Sequence, residues 1–123
     1  MKIQIQDQSL RVRLDESELA RLLDGQPVQN QTRLVGQGIW SQTVQLNEQA
    51  LPQVCGSAEA LLLTLPRDAV TALSARLPCR DGLGWELAAA DEVLRLQLDV
   101  DVRDSVRQRG VQRRTDATVT PTG

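Results

Sequence analysis

The chain of 123 residues has no histidine, no tyrosine and no phenylalanine, and its only lysine is Lys2. Without histidine, Ser-His-Asp and Cys-His nucleophilic schemes are excluded, as are imidazole metal sites. The two cysteines, Cys55 and Cys79, form no Cys-x-x-Cys pair, and two thiols alone do not complete a zinc site. The aromatics are Trp40 and Trp85 alone, so the core must be aliphatic. No apolar run approaches the length that spans a bilayer, and the start of the chain alternates polar and apolar instead of forming a signal-peptide core. The expectation is a soluble, cytoplasmic protein whose cysteines stay reduced. A net charge of −2 argues against general affinity for nucleic acid or acidic membranes. A compact fold of this size buries roughly two-thirds of its unfolded surface, enough to stand without metal or disulfide staples.

The opening stretch, MKIQIQDQSLRVRL, organises what is present. Met1, Ile3 and Ile5 alternate with Lys2, Gln4 and Gln6; Leu10, Val12 and Leu14 alternate with Arg11 and Arg13. Period-two alternation on both sides of a short polar turn predicts an antiparallel hairpin. One face carries the aliphatic residues and seeds the core. The other carries Lys2, Gln4, Gln6, Arg11 and Arg13.

The period then changes. Asp15 with Glu18 three residues on is a capping-box pattern, and Leu19, Leu22 and Leu23 follow at helical spacing up to Gly25 and Pro27. A short helix over 15–24 is predicted. Residues 28–46 read as a second hairpin, turning at Gly36-Gln37-Gly38; no phosphate-loop motif surrounds those glycines. Residues 47–56 read as a connection. Ala60 to Leu65 is a near-continuous apolar run, hence a strand covered on both faces. Pro66 and Asp68 open a second helix with Val70, Leu73 and Leu77 on one stripe. Residues 79–84 read as a loop and 85–90 as a strand. After a turn at Asp91-Glu92, Leu94 to Val102 is a long alternating strand, with Arg95, Gln97, Asp99 and Asp101 on its polar side. Cys55 precedes the apolar strand and Cys79 follows the helix that returns beside it, so the topology also permits a disulfide between them.

Leu10 to Leu14 leads into a helix with Leu19 and Leu22; Leu61 to Leu65 leads into one with Val70 and Leu73, at the same offsets. Two expectations compete: a duplicated strand–helix unit, and the plain similarity that any two short strand–helix junctions share. The fold class expected is α+β: a mostly antiparallel sheet with two short helices in a single domain over 1–103. Residues 104–123 carry several arginines, Gly110 and a Thr/Pro-rich end, and read as a weakly ordered polar tail.

The opening, followed by DESELARLLDG, resembles a small bacterial family of unknown function. Its members begin Met-Lys-Ile-Arg-Ile, continue Ser-Ile-Arg-Leu-Arg-Leu and enter a short Ser/Thr-x-x-Glu-type helix. LLLTLPRDAVTAL is similar to the family's strand–Pro–helix segment, and LRLQLDVDV to its late strand ending in acids. The resemblance covers most of residues 1–102. This chain departs from it at Gln4, where the family usually has a base. It departs again at the end, where an arginine-bearing tail replaces the usual cysteine and an acidic Phe-Pro-Asn-Pro-like terminus. The resemblance implies a shared compact domain and supplies no activity and no cofactor.

The polar face carries the one constellation with chemical potential. If the last strand joins the sheet of the first hairpin, Lys2, Arg11, Arg13 and Arg95 form a candidate anion site beside Asp99 and Asp101, a candidate metal pair. Guanidiniums on phosphates and carboxylates on a divalent ion suit phosphoryl chemistry. Triphosphate-tunnel barrels are similar in that respect alone. Their paired N-terminal glutamates would fall near Gln4 and Gln6, which cannot serve as anionic ligands. The competing expectation is a solvated sheet face with cross-strand Arg–Asp pairs. Two functions follow: a noncatalytic interaction or accessory module with a protein partner or a second copy, and a phosphate- or nucleotide-binding protein, metal-dependent if it is a phosphohydrolase. A concave face with converging arginines favours the second; a flat face, or arginines each matched to an acid, favours the first.

Overall fold

A computed structural model of the chain describes residues 1–78 and 81–102. The elements in order are β1 (Lys2–Gln6), β2 (Ser9–Asp15), α1 (Glu16–Leu23), β3 (Val28–Leu34), β4 (Gly38–Asn47), β5 (Gln53–Gly56), β6 (Ala60–Pro66), α2 (Arg67–Ala75), β7 (Leu83–Ala89) and β8 (Glu92–Asp101). The fold is α+β, as expected, with its strands divided between two four-stranded sheets, β1-β2-β8-β7 and β3-β4-β6-β5.

Each local prediction can be followed into its element. The first hairpin pairs Ile3 with Val12 and Ile5 with Leu10, closing through Asp7 at φ 50°. The capping box forms in full: Asp15 Oδ1 accepts the Glu18 amide at 2.7 Å and Glu18 Oε1 accepts the Asp15 amide at 3.0 Å. The other Glu18 carboxylate oxygen accepts from the N-terminal amine, tying β1 to α1. Leu19 and Leu22 are the residues of α1 that enter the core. Pro66 is still part of β6 and stands at the N-cap of α2, where it needs no amide hydrogen. Val70 and Leu73 carry the buried stripe of α2.

The duplication suggested by the sequence is realised in the strand pairing. Each half contributes a hairpin, a helix and a second hairpin, and each sheet combines one hairpin from each half. The joint between halves is parallel in both sheets: Val12 faces Leu98 across β2–β8, and Leu63 faces Val44 across β6–β4. The remaining pairings are antiparallel. Under this symmetry Val12 and Leu63 are equivalent, as are Leu14 and Leu65, Leu19 and Val70, and Leu22 and Leu73. All are buried in one aliphatic core shared by both sheets and both helices.

Several expectations are corrected. Residues 47–56 are not only a connection: Gln53–Gly56 pairs with β6 as its edge strand. The first hairpin's apolar face does not enter the core along its whole length, since Ile5 lies at the turn end and is 59% exposed. β6 is covered on both faces only toward its end, where Leu63, Thr64, Leu65 and Pro66 are buried; Ala60 is exposed. β7 begins at Leu83, inside the expected loop, and its turn to β8 falls at Ala90-Asp91, with Ala90 at φ 54°. The tail expected over 104–123 lies outside the described residues, as does Cys79. Cys55 is an exposed free thiol.

Candidate functional site: the polar face of the first sheet

Pairing β2 with β8 puts the predicted residues on one surface. Strand register arranges them in rows that cross the sheet. Asp15 lies beside Asp101; Lys2 beside Arg13 and Asp99; Gln4 beside Arg11, Gln97 and Gly84; Gln6 beside Ser9, Arg95 and Glu86. Lys2, Arg11, Arg13, Arg95, Asp99 and Asp101 therefore do share a face, spread over four rows.

The face is concave over its last two rows. A trough of about 540 Å³ is lined there by Gln4, Gln6, Ser9, Arg11, Arg95, Gln97, Gly84 and Glu86. Its depth has a local cause. Ser9 and Gly84 are small, so their positions add little height, and the floor is the backbone around Leu10, Trp85 and Leu96, whose side chains point to the opposite side. Arg11 and Arg95 reach the trough. Lys2, Arg13 and Asp99 stand in the next row, and Asp101 one row beyond, beside the helix-capping Asp15.

The guanidiniums on this face are turned toward acids. Arg11 Nε lies 3.1 Å from Asp99 Oδ2, and Arg13 Nη2 lies 4.0 Å from the same oxygen. Gln97 Nε2 donates to Asp99 Oδ1 at 3.1 Å. Arg95 Nε lies 3.7 Å from Glu86 Oε2 across β8–β7. Both oxygens of Asp99 are thus engaged by donors from its own sheet. Asp101 shares no row with Asp99, and among the described residues no three acids or thiols come together in a metal-ligating group.

Sequence reasoning missed Glu86 and the small residues under the trough. Glu86 becomes the partner of Arg95 only with the β7–β8 turn at Ala90-Asp91; the expected turn at Asp91-Glu92 would set Glu86 opposite Gln97 instead. The alternation of β7 (Gly84, Glu86 and Ala88 on one side) and the short turn after it were the available signals.

The internal symmetry offers a comparison within the molecule. The positions equivalent to Arg11, Arg13, Arg95, Gln97, Asp99 and Glu86 in the second sheet are Leu62, Thr64, Ser41, Thr43, Gln45 and Gln31. None of these equivalent positions is charged, although Arg33 lies on the same face of the second sheet, so the fold itself does not require charge at them.

No helix among the described residues is long and apolar enough to cross a membrane. No curated protein and no solved structure matches the chain. One family model does, over residues 1–105, and the sheet-joining strands, both helices and the whole polar face fall within that match. The chain therefore belongs to a family of unknown function (DUF7009).

Proposed function

We propose that the protein is a noncatalytic interaction module. The observation that carries this reading is the matching of charge on the polar face. Arg11 and Arg13 turn to Asp99, and Arg95 turns to Glu86. Lys2, Arg11, Arg13 and Arg95 share their surface with Asp15, Glu86, Asp99 and Asp101, so the formal charges cancel. A phosphate site needs an excess of donors aimed at one point, and a catalytic metal needs carboxylates free of guanidinium partners. A neutral, amide-rich face instead suits a protein surface recognised by directional hydrogen bonds.

A second reading rests on a different observation. The face is concave, and Arg11 and Arg95 both line the trough. An anion large enough to reach both would find Gln4, Gln6, Ser9 and Gln97 as further donors. The test is thermal unfolding at low salt with inorganic triphosphate, with and without magnesium. The interaction-module reading expects no shift. A clear upward shift, lost in both Arg11→Ala and Asp99→Asn, would overturn it in favour of the anion site.

A further inference from the structure

All four hairpin turns lie at the end of the molecule away from the helices. Helix α1 joins the end of β2 to the start of β3, and α2 joins the end of β6 to the start of β7. The turns at 7–8, 35–37, 57–59 and 90–91 therefore sit at the opposite strand ends. Asn30 Nδ2 donates to the Met1 carbonyl at 3.0 Å, where β1 and β3 leave the helical end together. Ile5 and Leu34, each four residues further on, thus reach the same end. Gln8 Nε2 donates to the Val93 carbonyl at 2.9 Å and ties the first turn to the last hairpin. Trp40 Nε1 donates to the Ala58 carbonyl at 3.2 Å and ties the β3–β4 hairpin to the loop before β6.

This end is apolar at its centre. It carries Ile5, Leu34, Val35, Ile39, Trp40 and Val93, six of the eight large exposed hydrophobics among the described residues. Ile5, Leu34 and Trp40 lie on the core side of their strands and are still exposed, so the two sheets do not close over each other here. Val35, at the tip of its hairpin, is 100% exposed. Single exposed apolar residues need no explanation, but their concentration at one end marks a contact surface. The hydrogen bond to Ala58 holds the Trp40 indole in place, so the ring loses little freedom on contact. The rim is acidic. Asp7, Glu59, Asp91 and Glu92 stand in or beside the turns, all exposed, and none forms a salt bridge among the described residues. Arg33 is the one base in segments 5–8, 33–40, 57–60 and 88–93, so four acids face one base there.

We infer that this end docks a cationic amphipathic segment of a partner protein, with its apolar side chains on the open end and its Lys or Arg over the acidic rim. Charge complementarity carries the choice. A short amphipathic helix supplies both features at once, an apolar stripe flanked by bases. A bilayer matches the surface less well, because an anionic leaflet attracts bases and repels this rim. The surface is separate from the polar face of the first sheet, so it adds a second contact to the interaction-module reading. Triphosphate binding in the trough would sink that reading of the polar face and leave this inference standing.

The test is fluorescence anisotropy of a labelled Leu/Lys amphipathic helix of about four turns, titrated with the full chain. The same peptide with Glu in place of Lys is the control. The Leu/Lys peptide should bind with a Kd below about 100 μM at low salt and weaken as salt is added. The Glu peptide should not bind. Val35→Asp should weaken binding at least about tenfold, because a charge would have to enter the apolar contact. Asp91→Asn with Glu92→Gln leaves every apolar group in place and should weaken it roughly threefold or more. Leu51→Asp lies in the β4–β5 connection at the helical end and should bind like the wild type. All these positions are exposed, so all the variants should fold. Absence of binding by the wild type overturns the inference, as does unchanged binding by Val35→Asp or equal weakening by Leu51→Asp. Equal binding of the Glu peptide overturns it too. Val35-dependent binding of the chain to phosphatidylserine-containing vesicles would assign a lipid surface instead and overturn it equally.

Discussion

Asp99 is held more closely by Arg11 than by Arg13, although Arg13 is its direct neighbour across β2–β8. The distances are 3.1 Å and 4.0 Å. Gln97 holds the other Asp99 oxygen. The carboxylate is the centre of the cluster: its side chain is only 14% exposed, whereas that of Arg11 is 42% exposed. The pair is therefore asymmetric in what each partner loses if the other is removed. Truncating Arg11 leaves Asp99 with Arg13 and Gln97. Truncating Asp99 leaves two guanidiniums and an amide without their common acceptor. An exposed pair contributes at most about 1 kcal/mol. Arg11→Ala should thus lower stability by less than that, and Asp99→Ala by about 1 kcal/mol more than Arg11→Ala. Urea unfolding of the two variants and the double variant measures the difference. Equal losses would show that Asp99 has no special place in the cluster.

Val12 and Leu63 occupy equivalent positions in the two halves, each at the parallel joint of its sheet and each essentially inaccessible to solvent. An unpaired charge at either site costs several kcal/mol, comparable with the whole stability of a small domain. Val12→Asp and Leu63→Asp should each abolish soluble, cooperatively melting protein. Calorimetry on either soluble variant would reveal a misassigned face if a normal transition survived.

How far the fold could be read from the sequence varied by element, for physical reasons. The first hairpin and both helices carry their instructions locally: alternation in β1 and β2, the Asp15–Glu18 capping box, and Pro66 followed by Val70 and Leu73. β5 carries almost none, because Val54 is the only strong strand former in Gln53–Gly56 and Pro52 precedes it; its place depends on the edge that β6 offers. Ile5 fits the alternation perfectly and is still exposed, since alternation assigns a face but not how far the core extends along it. The same limit governed the polar face. Its residues were legible from period two, but Glu86 as the partner of Arg95 depends on where the β7–β8 turn sets the register, and the trough beneath Ser9 and Gly84 on strand order.

The described part of the core reaches the end of the last strand: Val100 is buried, and Val102, just past β8, is half-buried against the cluster. The family match ends at residue 105. A chain ending at Ser105 should keep its melting temperature within a few degrees, the shift expected for less than about 1 kcal/mol in a domain of this size. A fall of ten degrees or more in a direct comparison would mean that the removed residues pack on the fold.

Thr64 stands at the position equivalent to Arg13 and has a different problem. It is 6% exposed, and among the described residues its Oγ1 has no hydrogen-bond partner. A buried hydroxyl without a partner keeps the cost of its lost hydration and gains nothing in exchange. The backbone of Thr64 is held on both sides, by Gln45 of β4 and Gln53 of β5, so the strand can neither twist nor slide to bring the oxygen to water. Replacing the hydroxyl with a methyl group removes the unsatisfied atom and keeps a β-branched side chain suited to a strand. Thr64→Val should therefore raise stability, by about 0.5–1 kcal/mol. Thr64→Ser keeps the hydroxyl and loses the methyl packing, and should lower it by a similar amount. Opposite signs for the two substitutions in denaturant unfolding are the expected result. If both destabilise, the hydroxyl has a partner, and a bridging water at the β5 edge is the first place to look.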